Sequence, residues 1–346
     1  MKVRVIAQGM LPDDLVTVVV DGTPRAVVQP WHRNNRAELL LAPGRHVLAL
    51  GQVAENCRPN VDSLEITVPT GFEVELSLGC HGTPELEDLE YLLVREGTVW
   101  IGKGSALKEM VGGHSASWGP DGQRIAFADP SGIYLMEVGG IRPAAPIIPA
   151  NQADLGDVAW SPRGDRIAYF WCGGGIFGDD CSHEVRLATQ GPSGWRSQTL
   201  AGDLWTPAWS PDGSQLAVAG YEGIHIYDEA GRWLRSPTPG EAPGQTYGPA
   251  FSPDGRFLAY LLWPRNGQGQ YARIRDLGTT HDVPVPTPWT DSVWGITWLP
   301  GGSGLVLVAY RRDLGQGCLF LTTTAGGTSR PLFPCTERFS SFRLRP

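Results

Sequence analysis

Pro207-Ala208-Trp209-Ser210-Pro211-Asp212-Gly213, followed by the apolar run Gln215-Leu216-Ala217-Val218, is one of five copies of a single phrase. Ala116-Ser117-Trp118-Gly119-Pro120-Asp121-Gly122, Val158-Ala159-Trp160-Ser161-Pro162-Arg163-Gly164 and Pro249-Ala250-Phe251-Ser252-Pro253-Asp254-Gly255 repeat it closely. Ile296-Thr297-Trp298-Leu299-Pro300-Gly301-Gly302 is a looser copy. A short strand-like run beginning at Arg124, Arg166, Phe257 or Gly304 follows each of these. The anchors Trp118, Trp160, Trp209, Phe251 and Trp298 stand 42, 49, 42 and 47 residues apart. A unit of roughly 40 to 50 residues holding several strands predicts a β-propeller.

Each part of the phrase has a mechanical reading. The aromatic ends a strand and fills the wedge between neighbouring sheets, where a flat ring buries much area. Pro presets φ for the turn, and Asp and Gly accept the conformations that follow. Ile, Leu, Val and aromatics then suit a pleated, packed surface. Near the end, Ser340-Ser341-Phe342-Arg343-Leu344 looks like a sixth approach to the anchor, with Phe342 44 residues after Trp298. The missing strands of that unit are expected from Leu89–Val94, Thr98–Gly102 and Ala106–Val111, which would close the ring and remove its exposed edges. The expectation is an all-β chain with a six-bladed propeller over 89–346, closed by pairing of its N- and C-terminal strands. Seven blades is the alternative, and needs about 40 further residues.

The Trp-Ser-Pro-Asp-Gly phrase and its Ile-Ala-aromatic strand resemble the TolB-type, WD40-like (PD40) propeller repeats of bacterial exported proteins. The resemblance covers about three quarters of the chain. It implies the fold more than a role, since such blades serve periplasmic scaffolds, peptidase gating domains and sugar-processing enzymes alike.

Before the ring, seven short strand-like runs between Lys2 and Leu78 are separated by turns at Asp21-Gly22, Pro43-Gly44 and Thr70-Gly71. They predict an immunoglobulin-like β-sandwich over 1–83, with 84–88 as an acidic linker. Leu41-Ala42-Pro43-Gly44-Arg45-His46-Val47-Leu48 resembles PEGA-like modules of bacterial surface proteins. Convincing helical periodicity is absent, Asn151–Asp157 being the nearest candidate.

A net charge of −8, with lysine only at 2, 103 and 108, argues against nucleic acid as a partner. No apolar run approaches a membrane span. Six cysteines form three local pairs, Cys57 with Cys80, Cys172 with Cys181 and Cys318 with Cys335. Disulfides at these pairs would place the protein in the periplasm or at the cell surface, its signal or anchor lying outside these 346 residues. Six reduced thiols in a cytosolic protein is the alternative.

Catalytic patterns are absent from the sequence. His32, His46, His81, His114, His183, His225 and His281 show no compact ligand spacing, and no Gly-x-Ser-x-Gly elbow occurs. The glycine-rich run 172–181 lacks the Lys-Ser/Thr of a phosphate loop, and Asp179-Asp180 alone makes a weak calcium site. No cofactor, metal or catalytic residue is therefore assigned.

Position gives a better clue. Four residues before each anchor stand His114, Gly156, Trp205, Tyr247, Trp294 and Arg338, with Asp157 beside Gly156. Equivalent positions in a propeller share one mouth of the channel. His114, Asp157, Trp205, Tyr247, Trp294 and Arg338 form the candidate binding rim, unless the aromatics turn into the seams between blades instead. The leading expectation is a non-enzymatic scaffold that docks a protein partner, as part of a cell-envelope assembly. A carbohydrate- or glycopeptide-binding module is one alternative. A lyase or lactonase with an axial metal held by residues such as His114 and Asp157 is another.

Overall fold

A computed structural model describes residues 2–8, 16–28, 36–51, 57–59, 63–68, 73–80, 89–104, 106–173, 182–238, 244–264, 271–285, 292–311, 316–323, 330–332 and 339–346. Every regular element among them is a strand, and none is a helix that could cross a membrane. The helical candidate Asn151–Asp157 is thereby corrected, because Asp154–Trp160 is a strand. A register shift between Gly156 and Ala159 explains the misleading pattern. It places buried Leu155 and Val158 three apart, a spacing that imitates a helix.

The chain divides into two compact units, Met1–Asp88 with Arg330–Thr336 and Leu89–Ser329 with Glu337–Pro346. The 84–88 segment expected to be a linker lies outside the described residues. In the first unit, Arg36–Leu40, Lys2–Gln8, Glu73–Cys80 and Cys57–Pro59 form one four-stranded sheet, with Lys2–Gln8 parallel to Glu73–Cys80. Thr23–Val28, Val16–Val20, Gly44–Gly51 and Ser63–Val68 form a second. Asp21-Gly22 makes the predicted hairpin turn, both residues at positive φ. Cys57–Pro59 escaped the sequence reading because three residues carry no periodicity, yet it sets Cys57 opposite Cys80 in register.

The second unit repeats one sheet. Sheet I runs outward through Ser115–Trp118, Arg124–Asp129, Gly132–Glu137 and Ile148–Pro149. Sheet II contains Asp154–Trp160, Arg166–Gly173, Ser182–Gly191 and Gly194–Gly202. Sheet III contains Leu204–Trp209, Gln215–Gly220, Gly223–Asp228 and Trp233–Arg235. Sheet IV contains Gly244–Phe251, Phe257–Pro264, Tyr271–Asp276 and Asp282–Val285. The long strands of sheet V are Ser292–Trp298, Gly304–Arg311 and Gln316–Thr323. Sheet VI begins with Phe339–Leu344 and continues through Glu90–Arg95, Thr98–Lys103 and Ala106–Gly112. First strands touch in the order I to VI, and the first strand of VI touches that of I.

The turn in the repeated phrase is a hydrogen-bonded unit. In sheet III the Ser210 N–H donates to the Gln215 carbonyl (2.8 Å) and the Gly213 N–H to the Ser210 carbonyl (2.9 Å). The Ser210 hydroxyl donates to Asp212 (2.6 Å) and accepts the Gln215 N–H (2.9 Å). Ser252 and Asp254 repeat this in sheet IV. Gly213 and Gly255 close the two turns at φ of 68° and 72°, a region L side chains avoid. The first copy has Gly119 in place of the serine, and a Cβ there would come within 2.9 Å of the Trp160 ring.

The anchors hold the sheets to one another. All five are buried. The Trp209 indole N–H donates back to Ala159 O of sheet II (3.1 Å), and that of Trp298 to Ala250 O of sheet IV (2.9 Å). Trp160 instead donates to Gly164 O in its own turn (3.0 Å). At the closure, the Trp118 indole N–H reaches Arg343 O (3.2 Å). Phe339–Leu344 pairs antiparallel with Glu90–Arg95, setting Phe342 opposite Leu93, and the Phe342 and Tyr91 rings lie 5.0 Å apart. Sequence-distant segments are thus joined by a ladder and a packed aromatic pair.

Two outcomes follow for stability. Phe342→Ala should cost about 3–5 kcal/mol by emptying a buried site, read as a lowered denaturation midpoint. A surface change such as Ile141→Ser should leave that midpoint in place. The second outcome concerns acid. The hydroxyl of Ser210, the N–H and hydroxyl of Ser214 and the charge of Arg163 pull the Asp212 carboxyl from 3.8 down to about 2. Asp254 and Asp121 are also lowered, chiefly by the Ser252 hydroxyl and the Gln123 N–H respectively. A depressed carboxylate stabilises the fold above its ordinary value and loses that contribution as pH falls through the native one. Stability should therefore decline between about pH 4 and pH 2. Ser210→Ala should cost about 1–2 kcal/mol at neutral pH and shrink that decline, as acid titration of tryptophan fluorescence would show.

Candidate functional site

The first strands of the second unit do not run straight to their anchors. Register shifts fall between Gly156 and Ala159, Trp205 and Pro207, Tyr247 and Ala250, and Val293 and Gly295, opening three residues before the anchor in sheets II to IV and four before it in sheet V. Three residues before the anchor, Asp157, Thr206 and Gly248 take φ of 45°, 32° and 52°. Gly and Asp tolerate that region, whereas a β-branched Thr there is strained. Hydrogen bonds between sheets compensate. Asp157 accepts the Thr206 N–H, and the Thr206 hydroxyl oxygen accepts the Gly248 N–H (3.3 Å). One sheet earlier, the Ser115 hydroxyl oxygen accepts the Val158 N–H (2.9 Å). A polar belt links sheets I to IV along their first strands.

Beside this belt lies a cavity of about 460 Å³. Asp157, Thr206, Trp205 and Tyr247 contribute to it from first strands, as do Val293 and Trp294. Phe170, His183, Tyr221 and Trp263 complete its lining. The Trp205 ring is nearly parallel to Tyr247 (5.4 Å, 29°) and perpendicular to Tyr221 (4.7 Å, 89°). Trp294 stacks on Tyr310 (5.3 Å, 24°). Trp294, Trp263 and Tyr221 remain 45%, 44% and 40% exposed.

The residues singled out from sequence have different fates. Asp157, Trp205, Tyr247 and Trp294 come together around the cavity. Trp205 is 8% exposed and packs with Ala217, Ile224 and Tyr260 in the seam of sheets III and IV, its indole N–H donating to Thr246 O (2.6 Å). Packing and lining are combined in that one ring. His114 is not among the lining residues. Its Nε2 meets the Leu155 carbonyl and lies 3.8 Å from Asp154. Arg338, Asp179, Asp180, Cys181 and Cys335 lie outside the described residues. Cys172 and Cys318 are disulfide-bonded. Cys172 stands opposite His183 in sheet II, on the hairpin that supplies the lining residues Phe170 and His183.

Sequence reading missed Thr206, Phe170, His183, Tyr221 and Trp263. The signal for two of them was present. A second strand runs antiparallel to the first, so its end returns to the rim where the first began. Trp263 accordingly stands opposite Gln245, and Tyr221 follows Gly220, the partner of Leu204.

Burial holds the Asp157 carboxyl above its ordinary range, against the attraction of Arg343 and His114 and the Thr206 N–H. Burial likewise lowers Arg343, with Asp157 opposing that shift. No cluster of three His, Cys, Asp or Glu side chains able to hold a metal occurs among the described residues.

Trp294→Ala should leave the denaturation midpoint within about 0.5 kcal/mol of the parent, because the ring is largely outside the core. Trp205→Ala should cost about 3–5 kcal/mol by opening the seam. Equal effects in a denaturant titration would contradict this division of roles.

No family model and no curated protein matches the chain. Solved structures do. TolB from Acinetobacter baumannii matches with a TM-score of 0.61 and 17% identity, over 88% of this chain and 80% of that one. A chain of a nidogen/laminin complex matches with a TM-score of 0.58 and 11% identity, over 75% and 98%. Oligogalacturonate lyase from Vibrio parahaemolyticus matches with a TM-score of 0.51 and 11% identity, over 84% and 86%. At such identities the likeness is one of fold, and the fold is an all-β, TolB-like propeller.

Proposed function

We propose that this chain is a non-enzymatic interaction module, a six-bladed propeller that docks a segment of a partner protein in the aromatic mouth of its channel. The observation that carries this reading is the mouth itself. Exposed Tyr221, Trp263 and Trp294 share its lining with a buried Trp205. Large aromatics around a desolvated centre are the chemistry of interface anchors. The structural match to a chain of a nidogen/laminin complex agrees with a propeller used for protein contact. In this reading the first unit is a sandwich that serves as spacer or second contact surface. The disulfides at Cys172 and Cys318, with Cys57 facing Cys80, support a periplasmic or cell-surface setting.

One other reading has a specific observation behind it. Trp294, stacked on Tyr310, and Trp263 both keep large exposed surfaces, as platforms for sugar rings do. A metal-dependent lyase has less support, because His114 turns its Nε2 to the Leu155 carbonyl and does not line the cavity with Asp157.

Photo-crosslinking in cell-envelope extracts separates these readings. A benzoylphenylalanine replacing Trp294 should capture a discrete polypeptide, whereas one replacing Ile141, which is 93% exposed, should not. Equal capture from both positions, or none from Trp294 combined with tight binding on a glycan array, would dispose of the docking reading.

A further inference from the structure

Resting on that docking reading, we infer that the mouth selects a lysine side chain of the partner segment, holding its ammonium group against the aromatic walls beside Asp157. Three observations converge on a cation. The first is the shape of the walls. Tyr221, Trp263 and Trp294 line one cavity while 40%, 44% and 45% exposed, so ring faces from three strand ends stay open to it. Faces arranged in this way attract a positive charge placed within about 6 Å of their centroids.

The second observation is charge. Asp157 is the one carboxylate among the described lining residues, which include neither Lys nor Arg. An anionic ligand would meet that carboxylate with no Lys or Arg on the described walls to offset it. A neutral sugar would find the platforms and add nothing to the attraction that Asp157 receives from Arg343 and His114.

The third is that Asp157 remains under-compensated. It accepts the Thr206 N–H and feels Arg343 and His114, yet burial still outweighs them and disfavours its ionised form. A further positive charge entering the mouth relieves that cost. The left-handed conformation of Asp157 sets the carboxylate at the cavity by backbone geometry, anchored through the next sheet. At about 460 Å³ the space accommodates one long side chain with its flanking backbone.

The test uses the full chain and two capped pentapeptides, Gly-Gly-Lys-Gly-Gly and its norleucine counterpart, which differ by the ammonium group. Titration calorimetry should give about tenfold tighter binding for the lysine peptide. Asp157→Asn and Trp263→Ala should each weaken it severalfold, and since Trp263 is 44% exposed the second variant tests the proposal even where the first fails to fold. Equal binding of the two peptides overturns the inference, as does indifference to both substitutions. Choline binding strongly while the lysine peptide does not would overturn it too, by showing a site for free quaternary amines. Crosslinking from position 294 that excess lysine peptide does not suppress leaves the docking reading standing and removes this one. Lysine-peptide binding without any crosslinked partner does the reverse.

Discussion

A bulky ring wedged between neighbouring sheets is the contact on which this molecule depends. No single four-stranded sheet here can bury both of its faces, so each needs the next. Trp209 shows how the need is met. Its ring fills the seam between sheets II and III, and its N–H satisfies a carbonyl of the preceding first strand. Burial supplies the larger share of the stabilisation, and the hydrogen bond fixes the distance at which the sheets meet. Repetition of that contact leads the first strands back to their starting point, where Trp118 and Arg343 make the same kind of bond between opposite ends of the second unit.

The same first strands that carry the anchors also build the candidate site, and the two tasks conflict. Uninterrupted alternation would send every other side chain into a seam. The bulge three residues before the anchor breaks the alternation, and strained Thr206 shows that this has a cost. Hydrogen bonds from Thr206 to Asp157 and from Gly248 to Thr206 offset it within the belt. Positions next to the bulge can then differ in purpose. Trp205 remains in the seam while Trp294, at the equivalent place two sheets later, stands exposed at the mouth.

Much of this was legible in the residues. Strands of the second unit, their turns and the pairing of Phe339–Leu344 with Glu90–Arg95 were read closely, since each rests on short-range pattern or on the repeat. Cys57–Pro59 was too short to show a period, and Asp154–Trp160 imitated a helix because its bulge disturbed one. In the site, the series four residues before the anchor drew attention to Trp205, Tyr247 and Trp294. The series one residue later holds Ser115, Asp157 and Thr206, whose polar side chains form the belt, and only the bulge made it conspicuous.

The sequence by itself determined the repeating unit, its aromatic keystone, the Ser-Pro-Asp-Gly bend and the strand that returns to the front of the propeller. These are encoded locally, in periods of two and of about 45 residues, so one chain read in order suffices. Tertiary structure alone decided which aromatics face the channel and which the seam, and that Tyr221 and Trp263 join residues from other sheets around Asp157. A single bulge exchanges the two faces of a strand, and convergence about an axis brings together positions that have no fixed spacing along the chain.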